Sequence, residues 1–392
     1  MKRKIVSKLI ALSALLFLLG VLLLLKTNQA VCEFFATTFS RAWIFLFGNL
    51  FGWLPFSVYE LFLVAVIVGA VVCLVLIIKQ LCARQWKRAL SAVISVALAV
   101  VVFANVYTAT ASFSYNREPL PDEVYTEYTA EDFSFDDAVS LATALVQEAN
   151  DAYRNTRHDE NGNIVYPYTF SEMSDKIAEE YAKLQSDYFS PYTPKAKKII
   201  NKWIMSQMHI VGVFFAPTGE ANINGNETNM YLPCTMAHEM AHGKGVMREY
   251  EANIVSTYVL LNSDDVYLRY GVLTKMMFSA LSLLAKYPNY SDTLQSLLDT
   301  IDTGIFRERN NYSKFYGQFT LFDDIGEFFN DLYLKLQNQH EGTGSYEKPG
   351  ETEGTGEVDG DGNEIVVIVR FSDMENLLIK LYKQNLFTTK AS

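Results

Sequence analysis

Residues 233–243 read PCTMAHEMAHG and predict a helix that ends at a glycine. A proline suits the first helical turn, and no helix breaker follows it before Gly243. His238 and His242 are one turn apart and therefore share a face of this helix. Two imidazoles at this spacing can bind one zinc ion, and the intervening Glu239 can act as a general base. The pattern predicts His238 and His242 as metal ligands and Glu239 as a catalytic residue.

A third metal ligand is expected shortly after His242. On an unbroken helix Glu249 would share the histidine face, but it would lie about 10 Å further along the axis. That is too far for one zinc ion, whose ligands lie at about 2 Å. Gly243 and Gly245 let the chain turn, so that a second helix starting near residue 246 can bring Glu249 back.

On the second helix Glu249 and Asn253 share a face, whereas Glu251 points elsewhere. We therefore predict Glu249 as the third ligand and Asn253 as the residue that orients a ligand. Three alternatives stay open at this stage. The two histidines could simply form hydrogen bonds in a structural helix, Glu249 could be a solvated acid at a helix start, or Glu251 could be the ligand.

The body of the chain, residues 111–392, is predicted to be mostly helical from residue 134 onward, with one short strand region. Residues 209–215 are rich in β-branched and aromatic side chains and predict a strand, whereas 195–205 predict a helix. An acidic segment without apolar residues, 341–363, predicts a flexible insertion. The acidic, proline-containing segment 111–133 predicts a linker.

Polar residues flank the predicted strand. Glu220 and Asn222 follow it and could line a cleft, but we interpret them as loop residues. His209 is interpreted as a strand residue with satisfied hydrogen bonds rather than as a metal ligand.

Residues 1–110 predict a membrane anchor. The uncharged apolar stretches 9–25, 61–78 and 90–109 are long enough, or nearly so, to span a bilayer. Between the first two lies the aromatic-rich segment 30–56, which we interpret as lying at the membrane interface, with a fourth span as the alternative.

The balance of basic and acidic residues changes at the same point of the chain, near residue 110. Residues 1–110 hold ten Lys/Arg and two Asp/Glu, whereas residues 111–392 hold 23 Lys/Arg and 42 Asp/Glu. An acidic body disfavours a nucleic-acid partner and leaves membrane lipid as the partner of the basic, apolar head. Because basic flanks stay in the cytoplasm, the N-terminus and the loop 79–88 are expected inside and the body outside.

Three segments together resemble a bacterial family of unknown function that is membrane-anchored and zincin-like: residues 214–222, 238–242 and 249–253. Residues 55–57 and 330–335 are also similar to it. The Glu-x-Glu-Ala-Asn piece further resembles the Glu-x-x-x-Asp motif of gluzincin metallopeptidases. That resemblance implies that Glu249 binds zinc and that Asn253, in place of the usual Asp, supports a histidine.

Together these observations predict a mainly α chain, with three N-terminal transmembrane helices and a zincin-like extracytoplasmic domain. The leading hypothesis is a Zn²⁺-dependent peptidase that acts on a peptide or protein at the outer face of a bacterial cytoplasmic membrane. The alternative is a non-catalytic envelope protein that uses the metal structurally or senses peptide or wall fragments. A fourth protein ligand, such as Cys234 or Glu251, would favour that alternative.

Overall fold

The computed structural model describes residues 2–226, 229–337, 339, 341–360, 362 and 364–387. It is mainly helical, with a three-stranded sheet and a two-stranded hairpin. The α-helices are α1 (Lys2–Leu25), α2 (Gln29–Phe35), α3 (Arg41–Gly52), α4 (Val58–Cys82), α5 (Trp86–Thr110), α6 (Phe135–Asn155), α7 (Phe170–Tyr181), α8 (Lys202–Gln207), α9 (Leu232–Gly243), α10 (Glu249–Leu261), α11 (Val266–Leu284), α12 (Ser291–Thr300), α13 (Thr303–Tyr316), α14 (Asp323–Leu336) and α15 (Asp373–Lys383). The strands are β1 (Ala196–Ile199), β2 (Gly212–Phe215), β3 (Glu220–Asn224), β4 (Glu351–Val358) and β5 (Glu364–Arg370).

In the described part of the chain, four helices are long and apolar enough to cross a membrane, where the sequence predicted three. The predicted spans fall within α1, α4 and α5. The additional helix is the run Gln29–Gly52, in which a π-helical turn joins α2 to α3. Its mean hydropathy is 1.3, against 2.4 to 3.5 for the other three. Two charged residues, Glu33 and Arg41, weakened its signal in the sequence.

Three of these helices form a bundle with the body at one end. α1 packs along α5, where Lys8 Nζ donates to Ser91 Oγ at 2.9 Å and Asn105 Nδ2 donates to the Leu15 carbonyl at 3.1 Å. The basic N-terminus of α1 therefore lies at the same end of the bundle as the α4–α5 loop, and the body lies at the opposite end.

The helical run Gln29–Gly52 packs on the body. Glu33 forms an ion pair with Arg117 at 2.6 Å, and that arginine is only 1% exposed. Arg41 donates to the Asp187 carbonyl at 3.0 Å, and the indole N–H of Trp43 donates to the Pro217 carbonyl at 3.1 Å. The run thus belongs to the surface of the body along much of its length.

In the body, α9 and α10 lie at the centre of one hydrophobic core. α6 and α11 pack against each other, and α7, α11 and α15 contact the central pair. α6 begins as the sequence predicts, because the Ser134 side chain accepts from the Asp137 N–H at 3.2 Å in a capping box.

The three-stranded sheet has the order β1-β3-β2, with β1 parallel and β2 antiparallel to β3. Part of this region differs from its prediction. The predicted helix 195–205 instead contains strand β1, followed by the short α8. The predicted strand 209–215 begins only at Gly212, because His209 has a φ of 53° and forms a turn before it.

Two segments that were predicted to be irregular contribute buried residues or a strand to the fold. In the segment 111–133, Leu120, Val124 and Phe133 are buried in the core, so it is not an exposed spacer. The segment 341–363 contains strand β4, which pairs with β5. The side chains of β4 are all exposed. Its pairing therefore rests on backbone hydrogen bonds, which hydrophobic patterning does not detect.

Candidate metal centre

A tight turn between α9 and α10 builds the site. Gly243 ends α9 where the Pro194 ring approaches, since a Cβ at this position would lie 2.3 Å from Pro194 Cγ. Gly245 has a φ of +93°, which L side chains rarely adopt, and Val246 N–H donates back to the Ala241 carbonyl at 3.2 Å. The chain therefore reverses, as the two glycines predict, and Glu249 becomes the first residue of α10.

The turn brings His238, His242 and Glu249 together. Glu249 Oε2 lies 3.1 Å from His238 Nε2 and 3.6 Å from His242 Nε2. One ligand atom from each residue lies within 4.8 Å of the others. A tetrahedral zinc ion with ligands at about 2 Å separates them by about 3.3 Å. The spacing therefore fits one such ion.

The hydrogen bonds made by Nδ1 of each histidine determine that Nε2 faces the centre of the cluster. His238 Nδ1 lies 2.8 Å from Asn253 Oδ1, and His242 Nδ1 lies 2.7 Å from the Val246 carbonyl. Both partners are acceptors, so each Nδ1 carries a hydrogen. In the neutral rings both Nε2 lone pairs then face the Glu249 carboxylate. Two lone pairs and a carboxylate that converge in this way suit a cation, so the donor set fits zinc.

Electrostatics at the cluster reflect burial and ion pairing. Burial acts to raise the pKa of Glu249, but the two imidazoles outweigh it and lower that pKa to about 2. Burial acts to lower the pKa of His242, but the Glu249 carboxylate outweighs it and raises that pKa to about 9. In the metal-free protein, a proton on His242 thus compensates the buried carboxylate at neutral pH.

Glu239 lies between the cluster and the edge strand β2. It is 6% exposed, and burial raises its pKa while the two imidazoles oppose the rise. Strand β2 comes so close that a Cβ at Gly212 would lie 2.5 Å from Glu239 Oε1. A carboxylate with a raised pKa beside the edge of a sheet is suited to accept a proton.

The neighbouring polar residues take different positions. Asn253 contacts His238 and also donates through Nδ2 to the Tyr346 carbonyl at 2.7 Å, so it links the ring to the chain before β4. Glu251 is turned away from the cluster and forms an ion pair with Arg248 at 2.8 Å. The Tyr346 ring stacks on His238, a contact that the sequence did not reveal.

A cavity of about 920 Å³ contains the cluster and opens along β2. Its walls come from both parts of the chain. Tyr59, Phe103 and Tyr107 line it from α4 and α5, and Tyr333 lines it from α14. The cavity therefore lies where the body meets the ends of the membrane-length helices.

Glu220 and Asn222 do not lie at the metal cluster. Both are fully buried in β3, where Glu220 accepts from the Val58 and Tyr59 N–H groups at 3.0 and 2.9 Å. Asn222 Oδ1 accepts from the Ser57 hydroxyl at 2.7 Å. They attach the body to the first turn of α4, a role that their sequence position beside a strand did not indicate.

Fold and site define a class of protein: a helical body with a buried His–His–Glu cluster, packed against helices of membrane length. Within this class the chain belongs to the family described as "Protein of unknown function (DUF3810)", whose model matches residues 35–349. The matched region contains the cluster and most of the apolar helices. Neither the curated proteins nor the solved structures contain a match to the chain.

Proposed function

We propose that this chain is a Zn²⁺-dependent peptidase with a zincin-like body, acting on a peptide or protein at the outer face of a bacterial cytoplasmic membrane. One observation carries the proposal: His238, His242 and Glu249 present three converging ligand atoms, with the buried Glu239 carboxylate next to them. The cavity of about 920 Å³ gives this group access to a substrate.

The residues divide into a metal-holding set and a proton-transfer group. His238, His242 and Glu249 hold the ion, and Asn253 fixes the orientation of the His238 ring. Zinc in this position supplies a Lewis acid for the scissile carbonyl and lowers the pKa of water. Glu239 accepts a proton from the attacking water at its carboxylate and passes that proton to the leaving amine nitrogen.

Strand β2 is positioned to bind the substrate. Among the described strands it pairs only with β3, and its residues 212–215 line the cavity. An extended peptide could add to this strand through backbone hydrogen bonds. Such a peptide would run past Gly212, directly beside Glu239.

The ligand count favours catalysis over a structural clamp. Structural zinc sites use four protein ligands, whereas catalytic sites keep one position open. Among the residues that the structure describes, the metal-type group contains three. Glu251 pairs with Arg248 instead, and Cys234 is outside the group although it lines the cavity.

Metal analysis of the full-length protein in detergent tests the proposal. The full chain is required because α4 and α5 form part of the cavity wall. We expect one zinc per chain and hydrolysis of an unfolded protein such as casein. Glu239→Gln should keep the zinc and lose hydrolysis, because Glu239 is a base and not a ligand. His238→Ala or His242→Ala should lose both.

Matched glutamate and histidine variants provide the controls. Glu249→Gln should weaken zinc binding by at least about tenfold, while Glu251→Gln, two residues further along the same helix, should leave zinc affinity nearly unchanged. His158→Ala, which alters a histidine outside the cluster, should also keep the metal. Full hydrolytic activity in Glu239→Gln would refute the mechanism, and zinc binding that depends on Glu251 would refute the ligand assignment.

A further inference from the structure

A second cavity, of about 750 Å³, lies beside the cavity that contains the metal cluster, and the charged residues in its lining are mostly basic. The basic side chains are Lys26, Arg117, Arg248, Lys348 and Arg370, against the single acid Glu341. This contrasts with the body as a whole, in which 42 Asp and Glu residues outnumber 23 Lys and Arg residues. Tyr115 lines both cavities, so they share a wall.

Several of these cations lack an acidic partner. Arg117 and Arg248 pair with Glu33 and Glu251. Among the described residues, Lys26, Lys348 and Arg370 form no ion pair. Lys26 is only 5% exposed, and within the described part of the chain its ammonium donates only to Gln337 Oε1, at a long distance of 3.4 Å.

Two further side chains of the cavity have an N–H group or a positive charge available to a ligand. Arg248 Nε is buried and has no hydrogen-bond partner in the part of the chain that the structure describes. The Lys348 ammonium lies over the Tyr250 ring, 4.1 Å from its centroid, and this contact does not neutralise the charge. Of the cations without an ion pair, Lys26 is buried, Lys348 is half-buried and Arg370 is exposed. A buried cation without an acidic partner, such as Lys26, is costly. The arrangement thus suits an anionic ligand, and guanidinium and ammonium groups together suit a phosphate.

The position of the cavity indicates where that phosphate comes from. Lys26 follows directly on Leu25, the last residue of the apolar helix α1. Gln337, to which Lys26 donates, directly follows α14. One face of α14 carries exposed apolar side chains at helical spacing: Ile325, Phe328, Leu332 and Leu336, exposed by 49, 62, 43 and 67%.

α14 is also joined to the membrane-length helices, since the Tyr333 hydroxyl contacts that of Tyr107 on α5. An apolar helix face that is continuous with the end of a membrane bundle suits the interfacial region of the bilayer. If this face of α14 lies in the interfacial region, the basic cavity would lie near the depth of the lipid headgroups.

We propose that this cavity binds the phosphate of an anionic lipid headgroup in the leaflet on the body's side of the membrane. Lys26, Lys348 and Arg370 supply the uncompensated positive charge, and Arg248 supplies a free N–H. The bound lipid would hold the body against the bilayer surface, next to the cavity that contains the metal cluster. This site goes beyond the proposed peptidase function and does not depend on zinc.

Thermal unfolding of the full-length protein in detergent tests the site. Phosphatidylglycerol should raise the melting temperature by about 3 °C or more. Phosphatidylcholine, whose phosphate is neutralised by choline, should raise it by less than half of that. The difference should disappear in the double variant Lys348→Gln/Arg370→Gln, which changes two basic residues that are not deeply buried.

Lys383→Gln is the matched control, because Lys383 also lies over a tyrosine ring, that of Tyr128, but outside the cavity. It should keep the full lipid response. Equal stabilisation by both lipids, or a full response in the double variant, would overturn the proposal. Inorganic phosphate at the same concentration should have no effect. An equal response to it, lost in the double variant, would assign the cavity to free phosphate and overturn the lipid source.

Discussion

At the scale of single residues, the site depends on how buried charges are compensated. Glu249 and Glu251 are two residues apart and both buried, yet one faces two imidazoles and the other faces Arg248. The sequence alone separates them, since helical geometry places the two side chains about 200° apart. It does not reveal the arginine partner, because that pairing depends on where α10 begins.

The charge state of His242 leads to a pH prediction. In the metal-free protein the Glu249 carboxylate, acting against burial, raises the pKa of His242 to about 9. The resulting stabilisation is fully present below the ordinary histidine pKa of 6.5 and is lost as the pH rises through about 9. Zinc requires the neutral ring. Zinc binding at pH 7 should therefore release about one proton, and zinc affinity should rise by about tenfold per pH unit until about pH 9.

Calorimetric titration in buffers of different ionisation enthalpy counts the released protons. The control is Glu249→Gln, in which the carboxylate that raises the pKa of His242 is absent. Its residual zinc affinity should level off near neutral pH instead. A zinc affinity that stays constant from pH 6 to 9 in the unmodified protein would contradict the assigned ion pair.

At the scale of helices and strands, local signals were reliable and distant pairings were not. The capping residues of α6, the helix α9 and the glycine turn after it could all be predicted from neighbouring residues. β1 could not, because its four residues form a strand only by pairing with β3, about 25 residues further along the chain. β4 carries no buried side chain, so its sequence has no strand periodicity to detect.

Strand β2 and helix α9 meet at Gly212, which predicts an effect on catalysis without an effect on metal binding. In Gly212→Ala the new methyl group would meet the Glu239 carboxylate at 2.5 Å. The carboxylate, at the end of a flexible side chain, should move aside. We expect kcat on a peptide substrate to fall by about tenfold or more, as for a displaced general base, with zinc content unchanged.

The matched control is Gly344→Ala, close to the cavity, where the nearest atom to a new Cβ would be 3.5 Å away. Kinetic constants of this variant should be close to those of the unmodified protein. Unchanged kcat in Gly212→Ala would indicate that the Glu239 carboxylate is not the proton acceptor in this position. Loss of zinc in that variant would indicate that β2 supports the metal cluster itself.

At the scale of the whole molecule, the body and the membrane bundle form one unit. The run Gln29–Gly52 is about 36 Å long at the helical rise and contacts the body through Glu33, Arg41 and Trp43. If this run crossed the bilayer, those body residues would have to enter it as well, including the charged Arg117. These contacts support the interfacial interpretation of this segment over a fourth span.

The arrangement of the bundle predicts the topology of the chain. The basic N-terminus and the loop 79–88 lie at one end, and the body lies at the other. By the positive-inside rule, we expect the body outside the cytoplasm. Protease added to intact bacterial spheroplasts should digest the body and spare an epitope inserted at residue 84. A body that is digested only after lysis would reverse the orientation.

Attachment of the body to the bundle depends on a buried ion pair. Glu220 is 1% exposed, accepts from the Val58 and Tyr59 N–H groups at the start of α4, and pairs with Lys197 at 2.7 Å. In Glu220→Gln the charge of Lys197 is left buried and uncompensated, which typically costs about 3–5 kcal/mol. We expect a lower melting temperature in detergent and faster amide exchange at residues 57–60, with zinc content unchanged.

Glu308→Gln is the matched control, since Glu308 is equally buried but binds Tyr270 within the body. It should lower the melting temperature without accelerating amide exchange at residues 57–60. If both variants accelerated that exchange equally, the effect would reflect general destabilisation, and Glu220 would not be the residue that attaches the body to the bundle.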